Sequence, residues 1–184
     1  MADRLDHIIE NASTQGAPVG EMWAAAYEEL KGLARARLRH SGHRTLLDTT
    51  GLVNEAYLRL AKRQTLNFEH RGAFFAYSAR TMRSVIVDLA REAGARERGG
   101  AAQKITLGTD VGAVLAVTDD DPLQVNEALI ALAQVEPRLV QVVEMRFFAG
   151  FTANETATAL GVTERTVRRD WERARVLLHT MLAS

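Results

Sequence analysis

From Thr152 to Trp171 the chain reads Thr-Ala-Asn-Glu-Thr-Ala-Thr-Ala-Leu-Gly-Val-Thr-Glu-Arg-Thr-Val-Arg-Arg-Asp-Trp, and this stretch leaves the local fold little choice. A first helix ends at Leu160, and Gly161 supplies the positive φ that a tight corner needs. Thr163 stands where an N-cap belongs and opens a second helix. Along that helix Val167, Trp171, Ala174, Leu178 and Met181 fall on one face at helical spacing. Arg165 and Arg169 point the other way, with Thr166, Arg168 and Arg173 beside them. A helix that packs on one side and presents guanidinium groups on the other suits the major groove of DNA. Arginine meets guanine edges and phosphates alike, so the pattern points to DNA more firmly than a generic charged face.

The rest of the sequence predicts an all-α protein. Trp23, Tyr27, Leu30, Ala34 and Leu38 form one apolar stripe, and Leu52, Val53, Ala56, Tyr57 and Leu60 a second. Phe75, Ala79, Met82, Ile86 and Leu89 form a third, and Leu139, Val143 and Phe147 mark a helix after Pro137. Residues 101–122 lack helical periodicity and carry Gly, Thr and a run of Asp, so they read as a flexible acidic linker. The expected architecture is therefore two small helical domains, 1–100 and 123–184, with the helix-turn-helix in the second.

Charge is distributed to match. The total is zero, with 23 basic and 23 acidic residues. Residues 21–100 hold fourteen basic and nine acidic groups, and residues 137–184 hold seven and five. Between them, residues 101–136 hold one basic and six acidic groups. Local basic patches matter more to nucleic acid than the total. There are no cysteines, which excludes disulfides and thiolate metal sites. His40 and His43 are close but have no third ligand nearby, and no phosphate-cradling glycine motif or nucleophile elbow is present. Neither an enzyme nor a metal or cofactor site is expected. No apolar run is long enough to span a membrane, and a cytoplasmic location is expected.

The third helix presents Arg80, Arg83 and Arg91 opposite its apolar seam, with Val87 expected to be exposed among them. Tyr77 leans toward this basic side and Phe74 sits at its boundary, each divided between core and surface, while Phe75 belongs to the core. Arginines beside aromatic rings suit single-stranded nucleic acid. The helix before it, opening near Asp48-Thr49-Thr50, shows Asn54, Glu55, Leu58 and Arg59 outward, which suits protein docking better than DNA.

These segments together resemble one family. Tyr27-Glu-Glu-Leu-Lys-Gly-Leu-Ala34, Leu52-Val-Asn-Glu-Ala-Tyr-Leu-Arg-Leu60, Phe74-Phe-Ala-Tyr-Ser-Ala-Arg-Thr-Met-Arg83, Val87-Asp-Leu-Ala-Arg91, Arg98-Gly-Gly100 and Val143-Glu-Met-Arg-Phe-Phe148 occur in the right order before the helix-turn-helix. From about residue 20 onward the chain is similar to the extracytoplasmic-function (ECF) sigma factors of the sigma-70 family. The resemblance implies a non-catalytic transcription factor whose partners are core RNA polymerase and promoter DNA. It implies that Asn54, Glu55, Leu58 and Arg59 dock on the clamp of the beta-prime subunit. It assigns the minus-10 element to Arg71, Phe74, Tyr77, Arg80, Arg83 and Arg91, and the minus-35 element to Arg165, Thr166, Arg168, Arg169 and Arg173. An anti-sigma factor or a Ser/Thr kinase is the expected regulator.

Two departures stand out. Ala95-Arg-Glu-Arg98 interleaves an acid where this branch carries a strongly basic run. Asp48-Thr49-Thr50-Gly51 holds one acid where many relatives carry several, so phosphorylation of Thr49 or Thr50 would restore negative charge at that helix N-terminus. Two other readings stay open at this point: a free-standing helix-turn-helix regulator, and an adaptor that docks on a partner without reading DNA.

Overall fold

A computed structural model describes residues 2–12, 16–39, 49–97 and 122–183, and these are almost entirely helical. In chain order they are α1 (Ala2–Glu10), a two-residue strand β1 (Ala17–Pro18), α2 (Val19–Arg39), α3 (Thr49–Ala61), β2 (Thr65–Leu66) and α4 (Arg71–Glu97). After residues 98–121 come α5 (Pro122–Val135), α6 (Pro137–Val143) with a π-helical turn (Glu144–Phe148), α7 (Ala153–Leu160) and α8 (Glu164–Leu182). The linker expected over 101–122 lies, apart from Pro122, outside the described residues.

The predicted stripes do build the core. Trp23 and Leu30 of α2, Leu52, Val53, Ala56 and Leu60 of α3, and Phe75, Ala79 and Met82 of α4 are all buried in one cluster. The two short strands, which periodicity does not show, pair antiparallel with Ala17 opposite Leu66 and Pro18 opposite Thr65. They clip the start of α2 to the α3–α4 connection. In the second half, Leu129 and Leu132 of α5 meet Leu139 and Val143 of α6 and Ala174 and Leu178 of α8. Met181, expected on the apolar face of α8, is exposed instead, and in the last turn it is Leu182 that packs against the core beside Leu178.

The halves also pack against one another. Met145, Ala149, Phe151 and Ala159 from the second half are buried in the same cluster as the α2–α3–α4 core. Helix α4 is the shared element, with the first-half helices on one side and α5, the π-turn and α7 on the other. Val87, expected to be exposed, is buried for this reason. The π-turn contributes directly: a residue inserted into a helical turn changes which side chains face outward, and here Glu144 is buried beside α4.

Candidate nucleic-acid interface

The 152–171 stretch folds as its residues dictate. Thr152 caps α7 in a reciprocal box, accepting from the Glu155 amide at 3.2 Å while the Glu155 carboxylate accepts from the Thr152 amide at 2.7 Å. Gly161 ends α7 with φ 64° and ψ 32°, the left-handed conformation that a side chain would strain. Thr163 then caps α8 by accepting from the Thr166 amide at 3.2 Å. Val142, Ala157 and Val167 lock the two helices together with Leu160, Val162 and Trp171 around them.

This packing presents the outer face of α8 to solvent. Arg165, Arg168, Arg169 and Arg173 are exposed, and Thr166 is half-buried with its hydroxyl 2.9 Å from that of Thr163. Arg168 is bonded to Glu164 at 2.5 and 2.9 Å, Arg169 reaches Asp170 at 3.2 Å, and Arg173 pairs with Glu136. Arg165 has no hydrogen bond or ion pair among the described residues. Its guanidinium donors therefore remain available to a partner.

Two groups behind this face escape a reading by residue class. Asp170, only 2% exposed, accepts from Arg138 at 2.7 Å and from Arg169. Its signal was positional, since it lies three residues after Val167 and four before Ala174 on the packed face. Arg146 lies over the Trp171 ring, 4.4 Å from its centroid. Burial pulls its guanidinium below the usual range, Arg168 pushes the same way, and Glu172 opposes them. Its charge is offset by the ring's electron-rich face.

In the first half the six expected residues divide. Phe74 is 1% exposed and lies in an aromatic cluster with Trp23, Phe68 and Phe75, at centroid distances of 6.2, 5.6 and 5.5 Å. It is a core residue here, because α4 turns it inward beneath Phe68. Tyr77 is half-buried, edge-on to Phe68 at 5.7 Å. Arg71 is held by Asp6 of α1 and Glu29 of α2 and lies over the Phe75 ring. Arg80 and Arg91 are exposed, with Arg91 3.2 Å from Asp88. Arg83 is buried against the second half rather than presented to solvent.

Tyr77 and Arg80 meet Arg59, Arg63, Thr81 and Ser84 around a groove of about 420 Å³. Arg63 was missed by sequence reasoning because it stands just past the end of α3, outside any helical pattern. On α3 itself Asn54 is exposed, Leu58 is 58% exposed and Glu55 is half-buried. Arg59 turns toward α4, donating to Asp88 at 2.6 Å and Ser84 at 3.1 Å. Thr49 and Thr50 open α3, and Thr50 is half-buried. Among the described residues no group of three or more His, Asp or Glu could hold a metal ion.

A sequence model of the ECF sigma factor family matches residues 5–184, nearly the whole chain. The chain belongs to the ECF sigma factor family. Its role is accordingly that of a sigma factor in transcription initiation, and the family is one of non-catalytic initiation factors. ECF sigma factors bind core RNA polymerase and promoter DNA and are usually regulated by anti-sigma factors. No curated protein and no solved structure matches this sigma factor. Among its described residues no helix is long and apolar enough to cross a membrane.

Proposed function

We propose that this sigma factor reads the minus-35 element with the outer face of α8 and the minus-10 element with the groove beside Tyr77. The observation that carries the first assignment is the exposed, partner-free Arg165 in the first turn of a capped helix that follows a tight turn. In a helix-turn-helix, residues near the N-terminus of the second helix reach base edges. Arg165 reads a base, while Arg168, Arg169 and Arg173 exchange their present carboxylate partners for phosphates. Thr166 supports the cap that fixes this register.

For the minus-10 element, Tyr77 offers a ring and Arg59, Arg63 and Arg80 offer charge around one groove, which suits an unstacked strand. Arg91 extends the basic edge, and Arg71 sets the start of α4. Asn54, Glu55 and Leu58 provide the polymerase-docking surface, with Arg59 bracing it against α4. The domain assignment is 1–100 for docking and minus-10 recognition and 123–184 for minus-35 recognition.

Phosphorylation at Thr49 or Thr50 belongs to the same reading. A phosphate in the first turn of α3, which carries no acid, would sit at the positive end of that helix and add negative charge beside the docking face. If the double substitution Thr49→Ala, Thr50→Ala leaves promoter activation in cells intact, this switch is discarded.

The test of the main reading is co-elution of the purified chain with core RNA polymerase. A stable complex supports it; stable, specific duplex binding by the chain alone, without polymerase, would make it a free-standing regulator instead.

A further inference from the structure

Between α3 and α4 the chain crosses from Lys62 to His70 with almost no core of its own. Only Leu66 and Phe68 are half-buried there, and the other seven residues are exposed. Yet this connection forms one wall of the groove beside Tyr77. It carries Arg63 at the groove's rim, and its Phe68 lies edge-on to Tyr77 at 5.7 Å. Exposed backbone with few apolar contacts is the least stable part of a fold unless something outside holds it.

What holds it is the N-terminal segment. Ala17 and Pro18 pair with Leu66 and Thr65, and the Val19 amide donates to the Gln64 carbonyl at 3.1 Å. A two-stranded pair is marginal by itself, but this one is anchored from the N-terminal side. Ala17 and Val19 are buried in the α2–α3–α4 core, and so are Leu5 and Ile9 of α1. At the far end of the connection Asp6 of α1 reaches Arg71 at 3.7 Å, and His70 Nδ1 accepts from the Ala73 amide at 3.1 Å. Closure of the pair depends on Gly16. Its φ of 83° is in the left-handed region, and a Cβ there would lie 2.8 Å from the Leu66 carbonyl oxygen, inside contact distance.

We propose that α1 and β1 are a positioning segment for minus-10 recognition. They hold the 62–70 connection so that Arg63 and Phe68 keep their places around Tyr77, and Gly16 is the residue that lets them close on it. The segment acts through these side chains rather than on DNA. The proposal rests on the reading of the groove beside Tyr77 as the minus-10 site, and it extends that reading to residues far from the groove in sequence.

The test uses the full chain. Gly16→Ala should part the strand pair, so amide hydrogen exchange should speed up at Val19 and across 63–70 while α3 and α4 stay protected. With core polymerase, promoter melting read by permanganate reactivity of the minus-10 strand should fall roughly tenfold, the equivalent of about one lost stacked base. Co-elution with polymerase should be unchanged. A reversible lock separates positioning from general loosening. The Val19–Gln64 hydrogen bond puts Pro18 and Thr65 at a non-hydrogen-bonded position of the ladder, where Cα atoms lie about 4.5 Å apart, a spacing that a disulfide accepts. Both residues are exposed and the chain has no cysteines, so Pro18→Cys with Thr65→Cys adds one bond. In the Gly16→Ala background the oxidised lock should restore slow exchange and melting, and dithiothreitol should abolish both. A Gly16→Ala chain with unchanged exchange at Val19, or one that loosens at 63–70 yet melts the promoter like the wild type, overturns the proposal. So does a lock that restores slow exchange without melting. If exchange follows the lock while the wild type itself binds polymerase and melts no promoter, the minus-10 reading fails and the ordering of the connection stands.

Discussion

Phe74 and Tyr77 stand three residues apart on α4, and the structure gives them different surroundings. Phe74 is packed among aromatic rings, so Phe74→Ala should cost roughly 3–5 kcal/mol of stability in urea unfolding. Tyr77→Ala should cost less stability and instead impair promoter melting, read by permanganate reactivity of the minus-10 strand. On α8, Arg165→Ala should relax preference at one base position by about 1–3 kcal/mol. Arg173→Ala should weaken all sequences alike, as loss of a phosphate contact does. Binding selections on randomised minus-35 sequences separate the two outcomes. Uniform weakening by both would show that the base-reading face is misassigned. Asp170 belongs to the same scale: Asp170→Ala should destabilise by roughly 1–3 kcal/mol, because Arg138 loses its buried acceptor. Residue type alone did not distinguish a reading arginine from a bracing one. Arg59, Arg71 and Arg83 look alike in sequence, and only their partners on other helices separate them.

At the scale of the element, α7 and α8 were the most legible part of the chain. Their boundaries rest on local chemistry: a threonine at each start and a glycine in the left-handed turn. Such signals act within a few residues, so they survive without tertiary knowledge. Thr163→Ala should cost about 1 kcal/mol through the lost cap. Gly161→Ala should cost roughly 1–2 kcal/mol by forcing a side chain into positive φ. Both are measured by thermal unfolding, and both should weaken minus-35 recognition without changing base preference, since they loosen α8 rather than remove a contact. The β1–β2 clip and the π-turn were not legible. Two-residue strands carry no alternation to detect, and a π-turn registers only as one residue of slippage in a helical pattern.

At the scale of the whole molecule the contact between the halves makes stability dependent on pH through Glu144. Burial raises its carboxyl above the ordinary 4.5, while the Arg83 charge and hydrogen bond and the Arg80 charge pull it back. A raised carboxyl means that the folded chain holds this proton more tightly than the unfolded chain does. Its contribution to stability is therefore complete below 4.5 and fades as pH rises through the raised value. Urea unfolding across that window should show this component in the wild type and lose it in Glu144→Gln. The sequence by itself determined that this is a helical protein, where most helices run, which faces they bury and which family it belongs to. All of these follow from periodicity, caps and residue order, which are local or linear properties. The tertiary structure alone decided that α4 is covered on two sides, that Val87 and Phe74 are buried, and that Arg83 faces an acid 61 positions away. The physical reason is that a helical pattern states which residues share a face but not how many neighbours that helix will have. A second packing partner turns an apparent solvent face into an interior.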